Sequence, residues 1–323
     1  MQIIDFKTYG LDNLCVLNQM WNDEYGFIFP ISDQLFRYKT IETPGFLSDA
    51  SFVALEDNQV VGFITSKIYQ HVIPIEAYLG VGWINILFVK KGYRNLGIGS
   101  ALLEATTNQL VAKGVKKIYL GKDYQNFFPG PPKDLKSFYE WFTKRGFNGL
   151  YETNDLINDH LSKTKLQPLP YHENRNYDIH LLQEGERDGL RVFFQNNFPG
   201  RWLVEFEDYM QNGGSGKEFI VCTSGSQIVG FCRIGTSDTP INQSAFSLTW
   251  RDRFEHLGGI GPLGVNKDHR HNNIAYNLIV YAIEELKQRG CNVAIIDWTN
   301  LLEFYRLFGF ELWKSYTYFE KNI

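Results

Sequence analysis

Apolar residues recur along the chain in two rhythms, one suited to strands and one to helices, and the same order of rhythms is met twice. A short apolar run, a polar turn and a second apolar run, Leu55-Glu56-Asp57-Asn58-Gln59-Val60-Val61-Gly62-Phe63, predict a β-hairpin. The stretch from Cys222 to Phe231 repeats it, with the same Gln-apolar-Val-Gly-Phe ending. Further on, the apolar runs 83–89 and 260–265 each predict a buried strand that leads through a polar loop into a helix. The first of these helices places Leu102, Thr106 and Leu110 in one stripe and Leu103, Thr107 and Val111 in another, and stops at Gly114. The second is expected to bury Ala275, Leu278, Ile279, Ala282, Ile283 and Leu286, and stops at Gly290. The spacing from Gly97 to Gly114 equals that from Asn273 to Gly290. A β-rich run follows each helix, at 115–120 and 293–298, and then an aromatic helix ending in Gly146-Phe147 or Gly309-Phe310.

A duplicated order of elements predicts two domains of one α/β fold, each a mixed, mostly antiparallel sheet flanked by helices. The expected limits are 1–161 and 177–323, joined by 162–176, which is polar and punctuated by Pro168 and Pro170. A chain of 323 residues exceeds what one hydrophobic core usually serves. Hydrophobic residues at 44% and charged residues at 21% fit a folded globular chain rather than a disordered one. A net charge of −4 supplies no broad cationic field, so nucleic acid is not an expected partner. The N-terminus lacks the basic-then-apolar order of a signal peptide, and no apolar run approaches the roughly 20 residues of a membrane span. A cytoplasmic protein without a membrane partner, monomeric or homodimeric, is expected. Cys15, Cys222, Cys232 and Cys291 are scattered and should be reduced, mostly buried thiols; no His/Cys/Asp/Glu spacing calls for a metal.

The segment with most chemistry in it is Leu87-Phe88-Val89-Lys90-Lys91-Gly92-Tyr93-Arg94-Asn95-Leu96-Gly97-Ile98-Gly99-Ser100, a strand followed by a glycine-bearing loop that opens a helix. Unsatisfied N–H groups at a helix N-terminus, together with the helix dipole, suit such a loop to a pyrophosphate. Gly97 and Gly99 allow the backbone to come close to the phosphates, and Arg94 is placed to add a charge-assisted contact. There is no Gly-Lys-Ser/Thr for a nucleoside triphosphate, and Leu102 stands where a dinucleotide fingerprint has its third glycine.

These residues resemble the GNAT superfamily of N-acetyltransferases, whose signature Arg/Gln-x-x-Gly-x-Gly/Ala is met by Arg94-x-x-Gly97-x-Gly99. The resemblance extends over nearly all of each half. It implies that the loop binds the pyrophosphate of acetyl-CoA, and that the preceding strand is splayed by a bulge. Leu87 to Val89 would then pair with the pantetheine and turn amides to the thioester carbonyl. The second copy departs from the signature: Arg270-His271-Asn272-Asn273-Ile274-Ala275 has Asn273 for the first glycine, which weakens cofactor binding without excluding it. Two such copies in about this length are also similar to the mycothiol synthase family, in which one copy does the catalysis.

The resemblance further implies an acid for the departing thiolate, usually the tyrosine of a Tyr-x-x-x-Gly-Phe motif. Tyr305-Arg306-Leu307-Phe308-Gly309-Phe310 fits in the second copy, but Phe142 holds that position in the first, and Tyr139, three residues earlier, is the substitute. Catalysis in the first copy with an unusual acid, catalysis in the second, and a composite arrangement all stay open. Asp123, Glu76 and His71 are candidates for the general base. The aromatic insert Tyr124-Gln125-Asn126-Phe127-Phe128-Pro129-Gly130-Pro131-Pro132 is expected to wall an acceptor pocket, with Phe198-Pro199-Gly200-Arg201-Trp202 as a second aromatic stretch. The expected activity is transfer of acetyl from acetyl-CoA to the primary amine of a small molecule, an amino sugar being one suitable acceptor. The alternatives are a protein or peptide N-acetyltransferase and a non-catalytic acyl-CoA-binding sensor.

Overall fold

The computed structural model describes residues 1–125, 127–172, 176–244 and 248–323. The chain divides into two compact units, Met1–Thr153 with Ser315–Ile323, and Asn154–Lys314. The described residues of the segment expected between domains, 162–172 and 176, fall within the second unit.

In the first unit, β1 (Gln2–Asp5) leads to helices α1 (Phe6–Tyr9), α2 (Leu14–Tyr25) and α3 (Asp33–Lys39). Strands β2 (Phe52–Glu56), β3 (Gln59–Ile68) and β4 (Val81–Val89) follow, then α4 (Ile98–Ala112), β5 (Lys117–Leu120), α5 (Lys136–Thr143) and the start of β6 (Asn148–Asn158), whose residues from Asn154 onward belong to the second unit. Asp57 and Asn58 both take positive φ in the two-residue turn between β2 and β3, the geometry that matches the twist of a hairpin. Strands β1 to β4 pair antiparallel in order, and β5 lies parallel to β4. Leu102, Thr106 and Leu110 of α4 are fully buried, in the core that includes Val61, Ile64, Ile84 and Ile118. The second stripe starts in that core at Leu103 and leaves it by Val111, which is half exposed.

The second unit repeats the order with β7 (Tyr177–Leu181), α6 (Arg187–Asn197), α7 (Arg201–Gln211), β8 (Phe219–Ser224), β9 (Gln227–Thr236) and β10 (Leu257–Val265). It continues with α8 (Ile274–Gln288), β11 (Val293–Thr299), α9 (Leu302–Arg306) and the start of β12 (Glu311–Asn322), whose residues from Ser315 onward belong to the first unit. Strands β7 to β10 are antiparallel and β11 is parallel to β10. Helix α8, 15 residues like α4, buries Leu278, Ile279, Ala282, Ile283 and Leu286. Cys222, Cys232 and Cys291 are buried free thiols, and Cys15 is an exposed one.

The strand that closes each sheet comes from an unexpected stretch of chain. In the first unit β5 is paired on its far side by the end of β12, with Phe319 opposite Leu120 and Asn322 opposite Lys117. In the second, β11 is paired by the end of β6, with Asn158 opposite Ala294 and Asn154 opposite Thr299. The pairing satisfies a backbone edge that would otherwise lie open.

Candidate functional site

The site of the first unit begins where β4 and β5 part. Their parallel ladder ends at Ile84 opposite Leu120, and the Gly121 amide makes one more bond, to the Ile84 carbonyl at 3.2 Å. Gly121, at φ 72°, then turns the chain away; a Cβ there would lie 2.5 Å from the Gly130 nitrogen, so only glycine fits. On the other side of β4 the register steps from Ile86–Thr65 to Ile84–Ser66, which leaves Asn85 as the extra residue of a bulge. Ile86 donates its N–H to Thr65 Oγ1 at 3.2 Å and Lys90 to the Val61 carbonyl at 2.9 Å, both on the β3 side. Strand alternation therefore directs the N–H groups of Leu87 and Val89 away from β3, into the gap left by β5.

At the end of β4 the loop takes positive φ at Asn95 (62°) and Gly97 (83°), and α4 starts immediately after. Its first intrahelical bond runs from the Ala101 N–H to the Gly97 carbonyl, so the preceding amides are the unsatisfied donors of a helix N-terminus. Nothing lies within 4 Å of where a Cβ on Gly97 would sit, while one on Gly99 would be 3.2 Å from the Trp141 ring. Leu87, Phe88, Val89, Arg94, Asn95 and Gly99 line one hollow together with Tyr25, Phe138 and Trp141. Leu96 points to solvent, and Ile98 is buried in the core. Ser100 Oγ accepts from Arg145, at 2.6 Å from Nη2, and the Arg145 guanidinium stacks 3.6 Å over Trp141.

Arg94, on the wall of this hollow, is also held by protein partners. Its Nε donates to the Val89 carbonyl at 2.9 Å, and Nη2 meets Glu24 and, at 3.0 Å, the Tyr25 hydroxyl. Its charge is thus matched by a carboxylate, and the side chain ties α2 to the loop.

A second hollow adjoins the first, and Tyr25, Leu87, Phe138 and Phe142 border both. Its walls are aromatic: Trp21 and Phe29 from α2 and the turn after it, Phe128, Pro131 and Pro132 from the insert, and Leu135 ahead of α5. Asn85 and Gly121 lie at the fork of the strands beneath. Within the insert, Tyr124 and Phe127 turn into the core, at 2% and 1% exposure, and Asn126 lies outside the described residues. Trp21, Tyr25 and Phe29 escaped the sequence reading because they sit at helical spacing, as core residues do. The aromatic stretch noticed between the early helices of the second copy was the signal that could have found them.

Asp123 is fully buried, its Oδ2 3.0 Å from Lys67 Nζ, with Oδ1 accepting from the Gln125 N–H at 2.7 Å. Asn85 Nδ2 donates to the same Oδ2. Lys67 Nζ also donates to the Lys39 carbonyl at 3.2 Å and to Gln125 Oε1 at 3.3 Å. Burial pushes the Lys67 amine below its ordinary pKa, and the Asp123 charge opposes that shift. Tyr139 is absent from the walls of both hollows: its hydroxyl donates to the Pro131 carbonyl at 2.9 Å and its ring packs 5.3 Å from Phe319. Burial raises the pKa of its phenol. The pKa of Tyr25 is raised by burial too, against the opposing pull of Arg94. His71 Nδ1 accepts from the Ile73 N–H at 3.0 Å in a surface turn, and Glu76 is exposed; neither borders the hollows.

The second unit reproduces the loop's backbone. His271 (φ 63°) and Asn273 (φ 60°) take the conformations of Asn95 and Gly97, and Arg270 Nε reaches the Val265 carbonyl at 3.3 Å as Arg94 does Val89. Here, however, a neighbouring segment of chain bonds to the loop's last residue and to the helix after it. Asn273 Nδ2 donates to the Pro170 carbonyl at 2.7 Å, and Asn277 bonds the Leu169 backbone twice, at 2.8 and 2.9 Å. Lys287 Nζ donates to the Thr164 carbonyl at 3.0 Å, so residues 164–170 run back along α8 to its first turn. Tyr305 is 6% exposed in this unit's core, 5.1 Å from Phe304, and burial raises its pKa strongly. Phe198 and Trp202 lie 4.7 Å apart with their rings tilted at 48°, and both pack on Phe231.

The model of the acetyltransferase (GNAT) family matches residues 16–128 and 187–310. In structure, the chain is similar to a glucosamine N-acetyltransferase region of a fungal multi-domain β-N-acetylglucosaminidase, with TM-score 0.85 and 23% identity. That match covers 99% of this chain and 38% of the other, so this chain spans well under half of the fungal protein. A tandem GNAT protein from the clavulanic acid biosynthesis pathway is similar at TM-score 0.62 and 11% identity, over 99% of this chain and 98% of that one. In sequence, N-alpha-acetyltransferase 30 of Schizosaccharomyces pombe is 28% identical over 138 residues, 43% of this chain and 79% of the relative. The family match falls on both copies of the strand–loop–helix geometry, and the chain belongs to the acetyltransferase (GNAT) family in a tandem form.

Proposed function

We propose that the first unit takes acetyl-CoA and transfers its acetyl group to the primary amine of a small molecule, an amino sugar being the class that suits the site best. The observation that carries this reading is the meeting of two hollows at the fork of β4 and β5. One runs to the Gly97 loop and the other is walled by aromatic rings. The pyrophosphate would lie on the free amides at the start of α4, and the pantetheine along Leu87 to Val89. The Leu87 N–H, directed into the gap, is placed to stabilise the oxyanion as the amine attacks. A C–N bond forms and the C–S bond breaks. Starting from an ammonium ion, the amine gives up two protons, one ending on the thiolate and one in solvent. Tyr25, which borders both hollows and accepts from Arg94, keeps its own hydroxyl proton to give to the thiolate.

The glucosamine N-acetyltransferase region named above supports an amino sugar, whose apolar face would stack on Trp21, Phe29 or Phe128. The test is thiol release from acetyl-CoA, followed with glucosamine, with a peptide bearing a free N-terminus, and without an amine. Release driven by glucosamine is the expected result; release driven by the peptide alone would replace the small acceptor with a protein. A second reading, an acyl-CoA sensor, draws on Phe142 at the usual acid's position and on the Tyr139 hydroxyl being occupied by Pro131. It predicts binding of acetyl-CoA with no thiol release for any amine.

A further inference from the structure

The fork of β4 and β5 also holds a polar atom that the fold leaves unused. Asn85 is 9% exposed, and its side-chain oxygen has no hydrogen-bond partner among the described residues. A buried amide oxygen without a donor is costly, and native structures seldom keep one without cause. Asn85 borders the aromatic hollow, and as the extra residue of the bulge it is re-aimed relative to the rest of the strand.

Its orientation follows from its neighbour. Asn85 Nδ2 donates to Asp123 Oδ2, and an ionised carboxylate can only accept. Lys67 Nζ lies 3.0 Å from that same Oδ2, and the Gln125 N–H occupies the other oxygen at 2.7 Å. The amide therefore cannot flip: its nitrogen is committed to Asp123, and the oxygen is what it has left to offer.

We propose that Asn85 determines acceptor specificity, its side-chain oxygen accepting a hydrogen bond from the amino group that is to be acetylated, with Asp123 as the residue that positions it. The assignment rests on the transferase reading above. Asn85 lies two residues along β4 from Leu87, whose N–H faces the gap. A primary amine held this way keeps one N–H on Asn85 throughout, since the acetylated product still carries an amide N–H. A secondary amine loses its only N–H on acetylation, so the arrangement selects primary amines.

Glucosamine is the probe, and saturation-transfer NMR reads its binding without any need for turnover. The wild type should give a clear signal, and Asn85→Ala should lose it. In steady-state assays the variant should show a glucosamine KM raised roughly 10- to 100-fold, the loss of one good hydrogen bond to a polar ligand. Its affinity for acetyl-CoA should stay within about twofold, which also reports an intact fold. Asn85→Ser, which keeps an oxygen acceptor, should recover part of the loss and carries the test if the alanine variant does not fold. Equal glucosamine signals from wild type and Asn85→Ala, or none from the wild type, would overturn the assignment. A wild type that binds glucosamine through Asn85 but releases no thiol would sink the transferase reading alone.

Discussion

Lys67 and Asp123 lie 3.0 Å apart with essentially no exposure, and a buried pair of this kind seldom adds stability over an apolar pair. Its place directly beneath Asn85 gives it a different use, to hold one amide in one orientation. Asp123 was legible as a candidate because it follows a strand that ends at the site; its partner was not, since Lys67 lies far away in sequence on β3. The candidate proton donor shows the same limit. Phe142 at the usual tyrosine position sent the sequence reading one helical turn back to Tyr139, but that hydroxyl bonds Pro131, whereas Tyr25 borders both hollows. Tyr25→Phe is expected to lower kcat about 100-fold with acetyl-CoA affinity little changed, and Tyr139→Phe to leave kcat within about threefold. Steady-state kinetics of the two variants decide it: a large loss in Tyr139→Phe with none in Tyr25→Phe would reverse the assignment.

Helices α4 and α8 were readable because their signals are local: a 3.6-residue apolar period, a turn at Gly97 or Asn273, and a stop at Gly114 or Gly290. The hairpin of β2 and β3 was readable for the same reason. Which strand closes each sheet was not, because an alternating apolar pattern says which face is buried and nothing about the partner at its edge. The end of β12 thus completes the first unit's sheet, bringing Phe319 into its core at 2% exposure and the Thr317 N–H onto the Pro131 carbonyl at 3.1 Å. Removing residues 315–323 takes away a ladder strand and a buried phenylalanine, whose loss alone is typically about 3–5 kcal/mol. Such a truncation should abolish saturable acetyl-CoA binding while Cys222, Cys232 and Cys291 stay unreactive toward a thiol reagent, since they belong to the other unit. Unchanged binding in the truncated chain would contradict the role given to β12.

At the scale of the whole chain, the duplication has left two loops of the same backbone conformation with different surroundings. Asn273 holds the left-handed angle that Gly97 holds, so the substitution alone does not disable the second loop. What distinguishes the two is the chain before β7: the Pro170 carbonyl lies on Asn273 and Leu169 on Asn277, whereas the space over Gly97 is open. Among the described residues, no helix is long and apolar enough to cross a membrane. Calorimetric titration of acetyl-CoA into the wild type, Gly97→Trp and Asn273→Trp reads whether the first unit alone takes acyl-CoA. One site per chain, lost in Gly97→Trp and kept in Asn273→Trp, is expected; two sites, or a site lost only in Asn273→Trp, would put acyl-CoA in the second unit as well or instead.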